Sequence, residues 1–110
     1  MYVGKQLIAG ITLVNSNGEV EEKQILGVIT ACSQDVGIVM GDEAGHEVMR
    51  LPYWTRSLVA APKGSYRLSS SGINVANPDF LTSWIFRQDT SGVWHAEVDA
   101  AIKTHWEHSA

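Results

Sequence analysis

The segment from Val20 to Leu51 constrains the fold of this chain more than any other, because it holds three strand-like runs separated by short breaks. Val20–Cys32 is rich in β-branched residues and lacks the i, i+3, i+4 apolar spacing of a helix. Val36–Met40 and His46–Leu51 follow, and the glycine-containing stretch Gly41–Gly45 separates them. We therefore predict an antiparallel β-meander with a hairpin tip at Gly41–Gly45.

Gly27 lies in the middle of the first of these strands. An isolated glycine inside a strand pattern is typical of a bulge or a sharp bend. We therefore predict that the sheet bends at Gly27 and curls over onto itself.

Strands are also predicted on both sides of the meander. Residues 5–14 alternate as a strand, and the turn pair Asn17-Gly18 joins them to Val20. After Pro52, the prolines and the lack of a clear period indicate a loop with one short helical turn over residues 53–64. A small hairpin over residues 65–76 comes next, and Phe80–Arg87 is predicted to be a central strand.

The last part of the chain changes in character. Its apolar positions recur at helical spacing, and the preceding Asp89–Ser91 can supply a helix cap. These positions are Trp94, Val98, Ala101, Ile102 and His105. We predict a short C-terminal helix here, with a last strand over Val93–Val98 as the alternative. The fold class is then mainly β: a small curled antiparallel β-barrel or sandwich of about six to seven strands, in a single domain of residues 1–110.

Composition narrows the class of partner. The chain is 45% hydrophobic and 18% charged, as expected for a folded domain, and its formal net charge is −4. A negative charge disfavours binding to a nucleic-acid backbone and favours a basic protein partner. Because no apolar run approaches the ~18 residues of a membrane span and the N-terminus does not resemble a signal peptide, we expect a cytoplasmic protein with no membrane partner.

No pattern for catalysis is found in the sequence. The single cysteine, Cys32, lies among apolar residues and is interpreted as a small buried hydrophobe. His95, His105 and His108 lack the spacing of a zinc site and are interpreted as solvated side chains. The chain has neither a Gly-x-Ser-x-Gly elbow nor a glycine-rich phosphate loop. We therefore expect no enzyme activity, no metal and no cofactor.

Acidic and aromatic residues in exposed loops are the best candidates for a binding surface. Hairpin tips and irregular loops face solvent, carboxylates there complement a basic partner, and a nearby tryptophan can anchor the interface. The predicted binding residues are Asp42, Glu43, Glu47, Tyr53, Trp54 and Asp79. The alternative for Trp54 is that its side chain plugs the open end of the barrel.

The segments Leu51–Pro52, Ala61–Ser69 and Asn77–Trp84, together with Gly4-Lys5 and Ile8–Thr12, form a pattern that resembles small bacterial β-barrel proteins. Proteins of this size, charge and architecture are similar to the immunity proteins of contact-dependent and other polymorphic toxin systems. The resemblance implies an immunity protein that binds and neutralises the toxic C-terminal domain of such a toxin, in particular a nuclease domain. It covers most of residues 4–84, and the extension after Arg87 departs from it. Because its motifs are turn and core residues, the resemblance assigns no binding residue.

A second function from another class remains open on sequence grounds. A small barrel can bind single-stranded nucleic acid by stacking bases on aromatic side chains next to basic residues. Here Tyr53 and Trp54 would stack, with Arg56, Lys63 and Arg67 nearby. The net negative charge argues against this alternative.

Overall fold

The computed structural model describes residues 2–69 and 71–98 of the chain. Strands make up 57% of the described residues, which contain no α-helix. In chain order the strands are β1 (Gln6–Val14), β2 (Val20–Ser33), β3 (Gly37–Gly41), β4 (Glu47–Leu51), β5 (Val59–Ala60), β6 (Ser65–Arg67), β7 (Asn74–Ala76), β8 (Phe80–Gln88) and β9 (Trp94–Val98), with a 3₁₀ helix at Thr55–Ser57. The mainly β prediction is confirmed, and so are the meander β2–β3–β4 and the short helical turn after Pro52.

Seven strands form one mixed sheet in the order β4-β3-β2-β1-β8-β5, with β9 also paired to β8. The prediction of an entirely antiparallel sheet is wrong in one place, because β1 and β8 are parallel from the pair Leu7 and Phe80 to the pair Val14 and Arg87. Of the predicted β-barrel or sandwich, a closed barrel is not formed. Within the described residues, β4 pairs only with β3, so the sheet keeps an open edge.

The long strand β2 gives the sheet its curl. Its register to β3 shifts between Ile29 and Ala31. We predicted the irregularity at Gly27, and it lies a few residues further along the strand. Gly27 has a different role: a Cβ there would lie 3.0 Å from the carbonyl oxygen of Gly41 and 3.3 Å from the Cβ of Met40. The absence of a side chain therefore allows β2 and β3 to approach closely just before the bend.

The main hydrophobic core lies on the concave face of the curled sheet. It contains Ile11 of β1, Ile29 of β2, Met40 of β3, Leu51 of β4 and Trp84 of β8, all nearly inaccessible to solvent. Met40 and Leu51 share this cluster with Trp84, although β2 and β1 separate their strands from β8 in the sheet, so we infer that the sheet curls and brings β3 and β4 towards β8.

The hairpin β6–β7 covers the opposite face of β1 and β8. Tyr66 and Val75 of the hairpin pack with Ile8 of β1 and Leu81 of β8 in a second core cluster. The hydroxyl of Tyr66 donates a hydrogen bond of 2.6 Å to the carbonyl oxygen of Pro62, which fixes the start of the hairpin. Since both faces of β1 and β8 are covered, consecutive residues of these strands are buried.

Three hairpin loops use the same turn. In each, an Asn or Asp at the first position accepts hydrogen bonds through Oδ1 from the backbone N–H groups two and four residues later, and a glycine with positive φ occupies the fourth position. The loops begin at Asn15, Asp42 and Asp89. Their glycines are Gly18, Gly45 and Gly92. These loops return the chain directly beside the preceding strand.

The predicted C-terminal helix is not supported, and the alternative of a last strand is confirmed, with β9 over Trp94–Val98. β9 pairs antiparallel with β8, so that Trp94 lies opposite Gln88 and Ala96 opposite Phe86. The residue taken for a helix cap, Asp89, is the first residue of a hairpin loop, because an Asp side chain can bond to nearby N–H groups in either structure. Residues 99–105 of the predicted helix lie outside the described residues.

Candidate binding surface

The loop after β4 presents two aromatic side chains to solvent. Tyr53 and Trp54 are 43% and 48% exposed. The carbonyl oxygen of Trp54 accepts hydrogen bonds from the backbone N–H of Ser57 at 3.0 Å and from its hydroxyl at 2.7 Å. The neighbouring core position is filled by Leu58 instead. Trp54 is therefore not a plug of the core, and its backbone is held while its indole remains accessible.

The acidic hairpin tip contains one carboxylate free for a partner and two that are engaged within it. Oδ1 of Asp42 accepts hydrogen bonds of 2.9 Å from the N–H groups of Ala44 and His46. Oε1 of Glu47 accepts a 2.7 Å hydrogen bond from Arg50, and this bond lowers the pKa of Glu47. Glu43 is exposed and has no hydrogen-bond or ion-pair partner among the described residues. Glu43 is thus the carboxylate at the tip most available to a partner.

The tip and the aromatic loop lie at opposite ends of β4. At about 3.4 Å per residue, the five residues of the strand separate them by roughly 17 Å. Val48, 43% exposed, lies between the two ends. Five of the six predicted residues therefore follow one open edge of the sheet, which we call the β4 edge: Asp42, Glu43, Glu47, Tyr53 and Trp54.

Asp79 does not lie on the β4 edge. Its Oδ2 accepts a 2.8 Å hydrogen bond from the N–H of Gln6, and its own N–H donates to the carbonyl oxygen of Gln6 at 3.1 Å. It precedes β8, and β1, β2 and β3 stand between β8 and β4 in the sheet. Asp79 joins the starts of β1 and β8, which is a structural role.

A groove on the concave face was not predicted from the sequence. It has a volume of about 370 Å³ and is lined by Ile11, Leu13, Lys23, Ile25, Val48, Met49, Arg50 and Phe86. Alternation along β1, β2 and β8 could have indicated the apolar floor. The wall supplied by β4 depends on the curl of the sheet, and no local pattern reveals it.

A second recess lies at the far end of the sheet, where the β1–β2 and β8–β9 loops meet. Its volume is about 410 Å³, and it is lined by Leu13, Asn15, Glu19, Val20, Glu21 and Trp94. The N–H of Ser16 donates to Oε1 of Gln88 at 3.2 Å, which ties the two loops together. Trp94, 45% exposed, is accessible to solvent like Trp54.

Residues 2–69 and 71–98 contain no group of three or more His, Cys, Asp or Glu side chains placed to hold a metal ion. His95 bonds to Asp89 at 2.8 Å, while His105 and His108 lie outside the described residues. Cys32 is a free thiol of intermediate exposure that packs at the margin of the main core. In the same residues, no helix is long and apolar enough to cross a membrane.

The fold and surface place this chain in the class of small proteins with a curled, open, mixed β-sheet whose edge carries exposed aromatic and acidic residues. Comparisons with protein families, with curated proteins and with solved structures found no match to this chain. The resemblance to immunity proteins therefore stays a prediction.

Proposed function

We propose that this protein is a cytoplasmic immunity protein, which binds the toxic C-terminal domain of a polymorphic toxin, in particular a nuclease domain, and blocks it. The observation that carries the proposal is the exposure of Tyr53 and Trp54, 43% and 48%, at the end of the open strand β4. Large aromatic side chains at an accessible edge are the usual anchors of protein interfaces.

The charge of the chain supports the same partner. Nuclease domains that hold phosphates are basic, and this chain carries a net charge of −4. Glu43, exposed at the tip of the β3–β4 hairpin, places a negative charge at one end of the β4 edge. Opposite charges accelerate association, whereas a desolvated aromatic anchor slows dissociation. Neutralisation by this route requires no catalytic residue in the inhibitor.

The test is the binding kinetics of the purified protein with the C-terminal domain of the toxin that we expect to be encoded immediately upstream of its gene. We expect Trp54→Ala to raise the dissociation rate by about 30-fold or more, the equivalent of ~2 kcal/mol. Trp94→Ala is the matched control, because Trp94 is similarly exposed but lies in the recess at the far end of the sheet. Equal effects of the two substitutions would place the interface elsewhere, and failure of the wild-type protein to bind the domain would refute the function.

The acidic end of the β4 edge has its own test. Glu43→Lys should lower the association rate, and this loss should shrink as salt is added. Glu22→Lys, at an exposed site on β2, makes the same charge change away from the β4 edge. Asp42 and Asp79 are unsuitable for this test, because both carboxylates hold the backbone of the fold.

The single-stranded nucleic-acid alternative keeps one observation in its favour. Arg56 follows Trp54 in the same loop, and Arg56, Lys63 and Arg67 are exposed and form no ion pair among the described residues. A fluorescent oligonucleotide at low salt separates the two functions. Binding that falls steeply with salt and is lost in Trp54→Ala would support the nucleic-acid module instead.

A further inference from the structure

The groove on the concave face is an apolar surface that the described chain leaves uncovered. Leu13 of β1, Ile25 of β2 and Phe86 of β8 form its floor, and Met49 of β4 forms part of a wall. All four are only partly buried, although they pack against the main core. At about 370 Å³ the groove lies within the ~300–1,000 Å³ range of small-molecule sites.

A bulge in β4 shapes this wall. Gly41 pairs with Glu47, and Met40 pairs with Met49, so that Val48 is an extra residue without a partner in β3. Successive residues of a regular strand face opposite sides of the sheet, whereas at a bulge two neighbours can share a side. Val48 and Met49 accordingly both line the groove.

The groove has cationic side chains on its lining. In a chain of net charge −4, the charged residues that line it, among those the structure describes, are Lys23 and Arg50. Nζ of Lys23 lies 3.3 Å from Oε1 of Glu21, and Nη2 of Arg50 lies 2.7 Å from Oε1 of Glu47. These are exposed ion pairs, which contribute little to stability. Each cation has further N–H donors that can bond to a second carboxylate.

We propose that the groove binds a free medium-chain carboxylate, with its apolar chain on Leu13, Ile25 and Phe86 and its head group between Lys23 and Arg50. The apolar floor accounts for the chain, and the cations in an otherwise acidic protein account for the anionic head. The groove shares strand β4 with the proposed toxin-binding edge, but the proposal does not rest on toxin binding, since it uses neither Trp54 nor Glu43.

The direct test is a titration of the full chain, labelled with ¹⁵N, with dodecanoate below its micellar concentration. We expect saturable shifts of the amide signals of Leu13, Val48, Met49 and Phe86. Dodecyltrimethylammonium has the same chain with a cationic head, and we expect it to bind at least about 10-fold more weakly. Equal binding of the two amphiphiles, or shifts centred on Trp94 or Trp54, would overturn the proposal.

Two double variants test the head-group site. Lys23→Gln/Arg50→Gln should weaken dodecanoate binding by about 10-fold or more, whereas Lys63→Gln/Arg67→Gln makes the same charge change outside the groove and should leave it unchanged. An equal loss of dodecanoate affinity in both double variants would show that only net charge matters, and it would overturn the proposed head-group site. Val48→Glu, at a 43% exposed position, tests the wall without opening the core, and unchanged affinity would also overturn the proposal. Binding to anionic vesicles without binding to free dodecanoate would assign the groove to a membrane surface and refute it.

Discussion

Nε2 of His95 lies 2.8 Å from Oδ2 of Asp89, so the start of β9 is tied to the residue that begins the β8–β9 loop. Oδ1 of the same carboxylate accepts a 2.6 Å hydrogen bond from the hydroxyl of Ser91 and a 3.0 Å hydrogen bond from the N–H of Val93. The hydrogen bond from the Ser91 hydroxyl, followed by those from His95 and from the backbone of Val93, lowers the pKa of Asp89 well below its ordinary value. One side chain thus organises the turn into β9.

Asp89→Asn should keep the hydrogen bonds of the turn but lose the stability that the negative charge contributes. Asp89→Ala should lose both. The chain itself provides the precedent, since Asn15 begins the β1–β2 loop and its Oδ1 accepts the N–H groups of Asn17 and Glu19 at 2.9 and 3.0 Å. We expect the order of stability in urea unfolding at pH 7 to be wild type, then Asn, then Ala. If the Ala variant matched the Asn variant, the backbone hydrogen bonds of this carboxylate would be unimportant.

The stability contributed by the Asp89 charge should depend on pH. Because folding lowers the pKa of this group below its ordinary 3.8, the folded state favours the ionised form, and the contribution is complete above that pH. It is lost as the pH falls through the lower pKa of the folded state. Urea midpoints of wild type and Asp89→Asn should therefore converge as the pH is lowered below about 4. A constant difference down to the acid limit would contradict the ionised state of Asp89.

Trp84 and Trp54 should respond very differently to truncation. Trp84 is 3% exposed, stacks on Phe86 with ring centroids 6.5 Å apart and donates from Nε1 to Oγ1 of Thr82 at 3.0 Å. Trp84→Ala should cost about 3–5 kcal/mol of unfolding free energy. Trp54→Ala, at a 48% exposed site, should cost less than about 1 kcal/mol. Chemical denaturation measures both, and a large loss in Trp54→Ala would restore the idea that it plugs the core.

Gly27→Ala should destabilise the protein through crowding. The new Cβ would lie 3.0 Å from the carbonyl oxygen of Gly41, a backbone atom that cannot move without shifting β3. Overpacking of this kind costs on the order of 1–3 kcal/mol. Val28→Ala, at the exposed neighbouring residue, is the control and should change stability little. Thermal unfolding of Gly27→Ala that matched wild type would show that β2 and β3 have room to separate.

Tyr66→Phe should remove the hydrogen bond to Pro62 and cost about 1 kcal/mol. Burial of Tyr66 raises the pKa of its phenol above the ordinary 10.0. The folded state then favours the neutral phenol, so its contribution is complete below pH 10 and is lost as the pH rises through the higher pKa of the folded state. The wild type should accordingly lose more stability than Tyr66→Phe as the pH rises above 10. Identical alkaline unfolding curves would exclude this contribution.

Most strands and turns of the fold were predictable because their causes are local. Alternation over residues 5–14, the Asn17-Gly18 pair and the break at Gly41–Gly45 each specify a strand or a turn through nearby residues. Trp94–Val98 was assigned wrongly because Trp94 and Val98 satisfy a helical spacing while pairing with β8 as a strand. The two-residue strand β5 has too few residues to show any period and was missed.

The candidate site was predictable only in part. Tyr53 and Trp54 were selected for their place in a loop without a period. That pattern left two alternatives for Trp54, an exposed anchor or a plug, and both side chains are exposed. Asp79 was selected for its charge and its turn, but its carboxylate bonds to Gln6, which is distant in sequence. The groove was missed for the same reason, since its floor and its wall come from strands that only the curl brings together.

The sequence by itself determined which segments are strands and where the chain turns, because β-branched alternation and Asx-Gly loops act over a few residues. Only the tertiary structure decided that β1 and β8 run parallel, that the sheet stays open at β4, and that Met49 and Phe86 line one groove. These features depend on contacts between residues far apart in the chain. Two such contacts lie between β2 and β3: the close approach of β3 at Gly27 and the shift of register after Ile29. Together they bend β2, the longest strand.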